Sequence, residues 1–420
     1  MNFFKLGKLC FPAVLGIGFH WNCFANPEEG MRGIGDVMAA ARQEKPLTVV
    51  FFGGSLTWGA NASDPNRTSW RGLTMKMLRE KYPRTPWTFY DAAIGGTGSS
   101  LGVFRLERDV LNRKPDLVFL DFTLNDGLEG SAKGNHDLKN QSYEAIIREC
   151  LKRNIAVLPV FLTARKYTEM KDISELKRRS EHIEIFRQYR LEYADVLGLM
   201  NRKFLDGKLD TAPLWPAELF DMLHPWDSGY AEYFRNFEHE WKRIEKSPVR
   251  RPVIPAEPIS GKNYDHVARI EVADLNLPGW TPRLPFLLSD NFDWMTSRWV
   301  DKVAITSNAD QTGVFDYKLN GNKLATLGLS FRGETVALIL EAMPNSVPLS
   351  VSIDGGKNRL IKSRPVRSSR FEFWFLASGL DADKPHRLVI VPQEPKQGEV
   401  GFVRLGSILI SGSRYAGIIN

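Results

Sequence analysis

The sequence predicts two folds in series: a parallel α/β sheet covered by helices on both faces, then an all-β sandwich or jelly roll. Three observations carry this. Between residues 47 and 161, four continuous apolar runs alternate with amphipathic stretches, the pattern of strands buried on both faces and joined by helices. Pro248, Pro252, Pro255 and Pro258 then crowd a short span that reads as a stiff linker. Beyond it the helical periodicity stops, and short strand-like runs follow, punctuated by the hairpin dipeptides Asn320-Gly321 and Asp354-Gly355.

The apolar runs at 47–52, 87–90, 117–120 and 156–161 are the predicted strands. Helical stretches are expected at 69–82, 99–113, 142–154 and 174–194, with a final helix at 230–246. In the second half, strands are expected at 266–272, 315–319, 335–340, 349–353, 371–375, 387–391 and 402–410. At the other end of the chain, Lys5 and Lys8 precede an apolar stretch over 9–19 and the exit Cys23-Phe24-Ala25. That is the pattern of a secretory signal peptide, with cleavage expected after Ala25 and a secreted or periplasmic destination. The apolar stretch is short for a membrane span, which needs ~20 residues, and no comparable run follows, so no span is expected after signal removal. The expected organisation is a signal at 1–25, an α/β domain at 45–246, a linker at 247–259 and a β domain at 260–420.

The composition is that of an ordinary soluble chain: 420 residues, 43% hydrophobic and 25% charged, which excludes disorder or coiled coil as a description of the whole. Lys and Arg number 56 against 49 acidic residues, an excess too small and too dispersed to suggest a nucleic-acid partner. Cys10 and Cys23 would leave with the signal, so Cys150 remains as a single thiol, read as a core residue of its helix.

Two glycine loops are misleading. Gly54 to Ala60 has the glycine spacing of a phosphate-binding loop but lacks its lysine. The loop from Gly96 to Gly102 departs from the dinucleotide-binding spacing and follows the second strand. No His/Cys cluster has zinc-ligand spacing and no acidic loop suits calcium, so no metal or other cofactor is expected.

Four blocks fall at the carboxyl ends of the predicted strands or just after the last, where open parallel sheets place their ligand sites. They are Gly53-Gly54-Ser55-Leu56-Thr57, Ala93-Ile94-Gly95-Gly96-Thr97, Phe122-Thr123-Leu124-Asn125-Asp126-Gly127 and Asp221-Met222-Leu223-His224-Pro225. Singly, each has a bland reading: a helix cap, a pair of turn glycines, an Asx turn, a capping aspartate. Together they supply one chemistry. A serine hydroxyl is a poor nucleophile without a base; His224 can take its proton, and Asp221 can fix the imidazole tautomer. The backbone N–H groups of Ser55 and Gly96 and the side-chain amide of Asn125 can donate to the oxyanion formed by attack on a carbonyl.

These blocks, in this order, resemble the SGNH hydrolases, the GDSL esterase superfamily, over residues 45–246. The resemblance implies a flavodoxin-like α/β/α sandwich with about five parallel strands. It also implies that Ser55 is the nucleophile, that Gly96 and Asn125 are oxyanion donors, and that Asp221 and His224 form the family's Asp-x-x-His pair. Two positions depart from the family pattern: Gly54 stands where an aspartate is usual, and Thr123 where a glycine is usual. An exported member joined to a β-sandwich is similar to bacterial carbohydrate O-acetylesterases, which implies an acetylated polysaccharide or oligosaccharide as partner. Trp58, Arg165 and Trp226 are candidate substrate contacts, and Trp70, Trp280, Trp294, Trp299 and Trp374 further candidates for sugar stacking, although tryptophans more often lie in cores. Two alternatives stay open: action on a non-carbohydrate ester, and a non-catalytic carbohydrate-binding protein on a hydrolase scaffold.

Overall fold

The computed structural model describes residues 31–130, 136–216, 218, 220–285, 297–308, 311–312, 315–318, 323–364 and 369–419. The proposed signal segment with Cys10 and Cys23, Trp294 and the Asn320-Gly321 pair lie outside the described residues.

Four parallel strands, β1 (Leu47–Gly53), β2 (Trp87–Asp91), β3 (Leu117–Asp121) and β4 (Ala156–Pro159), form the first sheet in the order β2-β1-β3-β4. Their side chains alternate between two apolar layers. Val50, Phe52, Val118, Leu120 and Val157 meet helices α4 (Ser99–Asp109), α5 (His136–Lys152) and α7 (Lys177–Gln188). Val49, Phe51, Leu117, Phe119, Ala156 and Leu158 meet α1 (Ile34–Arg42), α3 (Trp70–Lys81), α8 (Val196–Leu205) and α9 (Asp227–Lys246). Burial on both sides is why β1, β3 and β4 read as unbroken apolar runs, whereas β2, at the sheet edge, alternates half-buried and exposed residues. The fifth strand position holds a single parallel bridge, Val160 to Ala194. It extends no further because Asp195 caps α8 immediately afterwards, accepting from Gly198 N at 3.0 Å.

The helix expected over 174–194 is shorter than its sequence pattern. α7 ends at Gln188, and Arg190 adopts the left-handed conformation (φ 54°), turning the chain toward the Ala194 bridge. Cys150 is fully buried in α5, and burial pushes its thiol up to about 12, an inert core position.

The second half forms two antiparallel sheets. One runs β13 (Arg359–Ile361), β12 (Leu349–Ile353), β15 (His386–Pro392), β10 (Leu327–Arg332), β17 (Gly417–Ile418). The other runs β14 (Arg370–Ala377), β11 (Thr335–Ala342), β16 (Phe402–Gly412), β7 (Val303–Ser307), β6 (Thr281–Arg283), with β5 (His266–Glu271) also paired to β16. Their facing sides share one core, in which Leu338, Leu340, Ile408 and Ile410 join Leu327, Phe331, Leu388 and Ile390. Asp354 and Gly355 make the expected hairpin between β12 and β13, both at positive φ, with Gly356 N donating to Ile353 O at 2.9 Å.

The reverse face of the second sheet does not meet water. Ala337, Ile339, Leu409, Trp299 and Val300 belong to the same apolar cluster as Leu101 and Phe104 of α4, with Phe371, Phe373 and Phe375 packed against it. The proline-rich stretch is tied to the α/β half as well: Val253 N donates to Tyr189 O at 3.0 Å, and Arg148 to Pro255 O at 2.9 Å. Glu144 accepts from the backbone N–H groups of Ile259 and Ser260 at 2.8 and 2.7 Å. The two halves therefore share a continuous apolar interface.

Candidate active site

β1 ends in Gly53-Gly54, and the chain turns at once into the single-turn helix α2 (Ser55–Trp58), with Ser55 in its first position. At the far end of the α/β half, the loop ahead of α9 carries Asp221 and His224. The two segments meet. His224 Nε2 lies 2.8 Å from Ser55 Oγ, and His224 Nδ1 lies 2.9 Å from Asp221 Oδ2. With the Nδ1 proton directed to the carboxylate, Nε2 is left to accept from the serine hydroxyl. Ser55 and His224 are 5% and 8% exposed, so this contact is nearly dry.

The burial of Asp221 alone would raise its carboxyl, but the N–H of His224, its imidazole and the N–H of Leu223 together hold it below the ordinary carboxylate value. It is held as an anion facing the imidazole.

The other two blocks lie at the neighbouring strand ends. Gly96 follows β2 at φ 72°, the left-handed conformation that favours glycine. Asn125 follows β3, exposed, and its side chain lies over Gly54. One contact ties these loops together: Asp126 Oδ1 accepts from Ser99 N at the start of α4, at 2.9 Å. Thr123, where the resemblance implies glycine, is buried and lies 3.0 Å from His182 Nδ1.

The model of the GDSL-like lipase/acylhydrolase family matches residues 51–232, the segment that carries all four blocks. The α/β half is similar to this family over that stretch. The α/β half and its β partner together are similar to the crystal structure of a two-domain esterase active on acetylated mannans, with a TM-score of 0.70 and 20% identity, covering 93% of this chain and 99% of that one. The same esterase co-crystallised with mannopentaose matches with a TM-score of 0.69 and 20% identity, over 92% and 98% of the two chains. Comparison with curated proteins finds no match.

The candidate substrate contacts fall differently. Trp58 and Trp226 are half-buried, on the segments that carry Ser55 and His224. The Arg165 guanidinium pairs with Glu169 at 2.7 Å, while its backbone N–H donates to Met222 O at 3.0 Å, holding the histidine loop. Three sugar-stacking candidates are corrected: Trp70 is wholly buried among Phe51, Phe119 and Phe237, Trp299 is buried against Phe371 between the two halves, and Trp280 lies in the β core. Trp374 packs half-buried against that same core.

Sequence reading missed three supports. Asn61 Nδ2 donates to Asp221 Oδ2 and to His224 O, both at 3.0 Å, from a left-handed turn position (φ 67°). Thr57 Oγ1 donates to the buried Asp121 Oδ2 at 2.7 Å, pinning the Ser55 turn to β3. Arg105, fully buried, donates to Gly53 O at 3.0 Å, Ala92 O at 2.6 Å and Thr97 Oγ1 at 3.0 Å, lacing the serine loop to the Gly95-Gly96 loop. Its guanidinium lies over the Phe52 ring at 4.4 Å. The sequence signal for Arg105 was a charge inside the apolar run Leu101–Leu106 of α4; Asn61 and Thr57 gave none.

Proposed function

We propose that this chain is an exported serine esterase that removes O-acetyl groups from a polysaccharide or oligosaccharide. The observation that carries the reading is the hydrogen-bonded chain Ser55–His224–Asp221, at 2.8 and 2.9 Å. His224 Nε2 takes the Ser55 proton as Oγ attacks the acetyl carbonyl. The carbonyl oxygen becomes an oxyanion, received by the N–H groups of Ser55 and Gly96 and the Asn125 amide. Collapse breaks the ester C–O bond. The imidazolium returns its proton to the departing sugar oxygen, leaving a free hydroxyl and acetyl-Ser55. Water, deprotonated by His224, then attacks the acyl carbon; acetate leaves and Ser55 regains its proton. Asp221 remains ionised throughout, steadying the imidazolium.

The carbohydrate reading draws on likeness to the acetylmannan esterase across both domains. It also draws on an apolar rim at the histidine loop, where Phe220 is 93% exposed beside Met222 and Leu223, a surface suited to the C–H face of a sugar. Export rests on Lys5, Lys8 and the apolar stretch after them. The test is acetate release from acetylated mannan, acetylated xylan and p-nitrophenyl esters of rising chain length. The reading expects acetylated glycans, with acetylated mannan foremost, and short acyl groups to be favoured. Preference for long acyl chains with no release from any glycan contradicts it.

A further inference from the structure

We infer that Trp299, a residue of the β half, is a positioning residue for the Gly96 N–H; the inference rests on the reading of Gly96 as an oxyanion donor. Trp299 Nε1 donates to Gly95 O at 3.0 Å. The Gly95 carbonyl and the Gly96 N–H are the two ends of one planar trans peptide, so they point in opposite directions. Fixing where that carbonyl points fixes where the N–H points.

The peptide needs an external restraint. It joins two glycines, with Gly96 at φ 72°, and without Cβ atoms such a unit rotates between orientations at little steric cost. The restraint is itself well anchored. Trp299 is 7% exposed and stacks on Phe371 of β14, with ring centroids 6.1 Å apart and planes at 13°. Its neighbour Arg298 donates to Asp91 O at 2.7 Å, to Asp91 Oδ2 at 3.1 Å and to Ala93 O, gripping the strand that leads into the loop. Arg108 of α4 donates to Arg298 O at 2.7 Å from the other side. The indole bond also polarises the peptide, making its N–H a stronger donor. The β half is thus part of the reacting geometry rather than an appendage to it.

The test is steady-state hydrolysis of p-nitrophenyl acetate by the full chain carrying Trp299→Phe, with Asn125→Ala measured alongside. Phenylalanine keeps an aromatic ring against Phe371 but removes the donor. The expected result is a kcat lower by about tenfold with KM within about twofold, because the donor matters in the transition state more than in the bound ester. If Trp299→Phe does not fold, benzothienylalanine at 299 removes the N–H while keeping the indole shape, with the same expectation. A kcat within about twofold of wild type for a folded Trp299 variant, while Asn125→Ala is impaired, overturns the inference and leaves the oxyanion reading intact. Unchanged kcat in both variants overturns the inference together with the oxyanion reading.

Discussion

A side chain on Gly54 would place its Cβ 2.3 Å from Asn125 Oδ1. The aspartate usual in the resembled family is therefore incompatible with this arrangement of Asn125, and the glycine is what lets the amide lie over the serine turn. The Gly54 backbone is extended, at φ −98° and ψ −153°, so an L-residue is not excluded by conformation. Gly54→Ala is accordingly expected to fold with a Tm near that of wild type but to displace Asn125. Loss of one oxyanion donor costs up to ~10²-fold or more, so kcat on an acetyl ester should fall at least tenfold. An unimpaired Gly54→Ala enzyme would show that Asn125 makes no contribution from this position.

Asn61 holds Asp221 and the His224 loop in place. Its amide reaches both Asp221 and the His224 carbonyl, so Asn61→Gly, which tolerates the positive φ, removes both bonds without backbone strain. A fall in kcat of about tenfold is expected, with KM little altered. Asn61→Asp should be worse, because a second carboxylate beside Asp221 favours protonation of one of the pair. Equal activity of the two variants contradicts this account.

Arg105 joins three acceptors that belong to the Ser55 and Gly96 segments. Lysine keeps the charge but presents a single ammonium, which cannot span Gly53 O, Ala92 O and Thr97 Oγ1 together. Leaving buried acceptors unmatched costs about 1–3 kcal/mol each, so Arg105→Lys should lower stability to denaturant by about 2–4 kcal/mol. Urea unfolding monitored by fluorescence measures it, and a loss below about 1 kcal/mol would mean the bridge is not structural.

Asp121 gives stability a pH dependence. Burial pushes its carboxyl up to about 7, against the bond from Thr57 and with a further push from Asp126. The folded chain therefore holds a proton that the unfolded chain releases near the ordinary carboxylate value of ~3.9. This stabilising contribution is full below that value and is lost as pH rises toward about 7. Asp121→Asn cannot titrate, so the Tm of the variant minus that of wild type should increase from pH 4 to pH 7 and then level. Thermal melts across that range check it; a difference independent of pH excludes the titration.

What was legible in the sequence follows from what each element must satisfy alone. The strands β1, β3 and β4 read clearly because strands covered on both faces need unbroken apolar runs, and the half-exposed edge strand β2 through its aromatic residues. β11 read equally clearly for the same reason, being buried along its whole length between the β core and the α/β half. β7 and β10 were not read. β10 alternates buried and exposed positions over only six residues, and both depend on partners rather than on local pattern. The blocks around Ser55, Gly96, Asn125 and His224 stood out because their chemistry admits few residue types. Asn61 and Trp299 did not, since each acts through a partner 160 or 204 residues away and nothing local marks it.

The central claim is that Ser55 is the nucleophile of an acetyl esterase. It is tested most directly by acetate release from acetylated mannan, comparing wild type with Ser55→Ala at matched concentration and with Tm confirmed equal. The account predicts a loss of at least ~10⁴-fold in the variant. Acetate release by Ser55→Ala within about tenfold of wild type would contradict it.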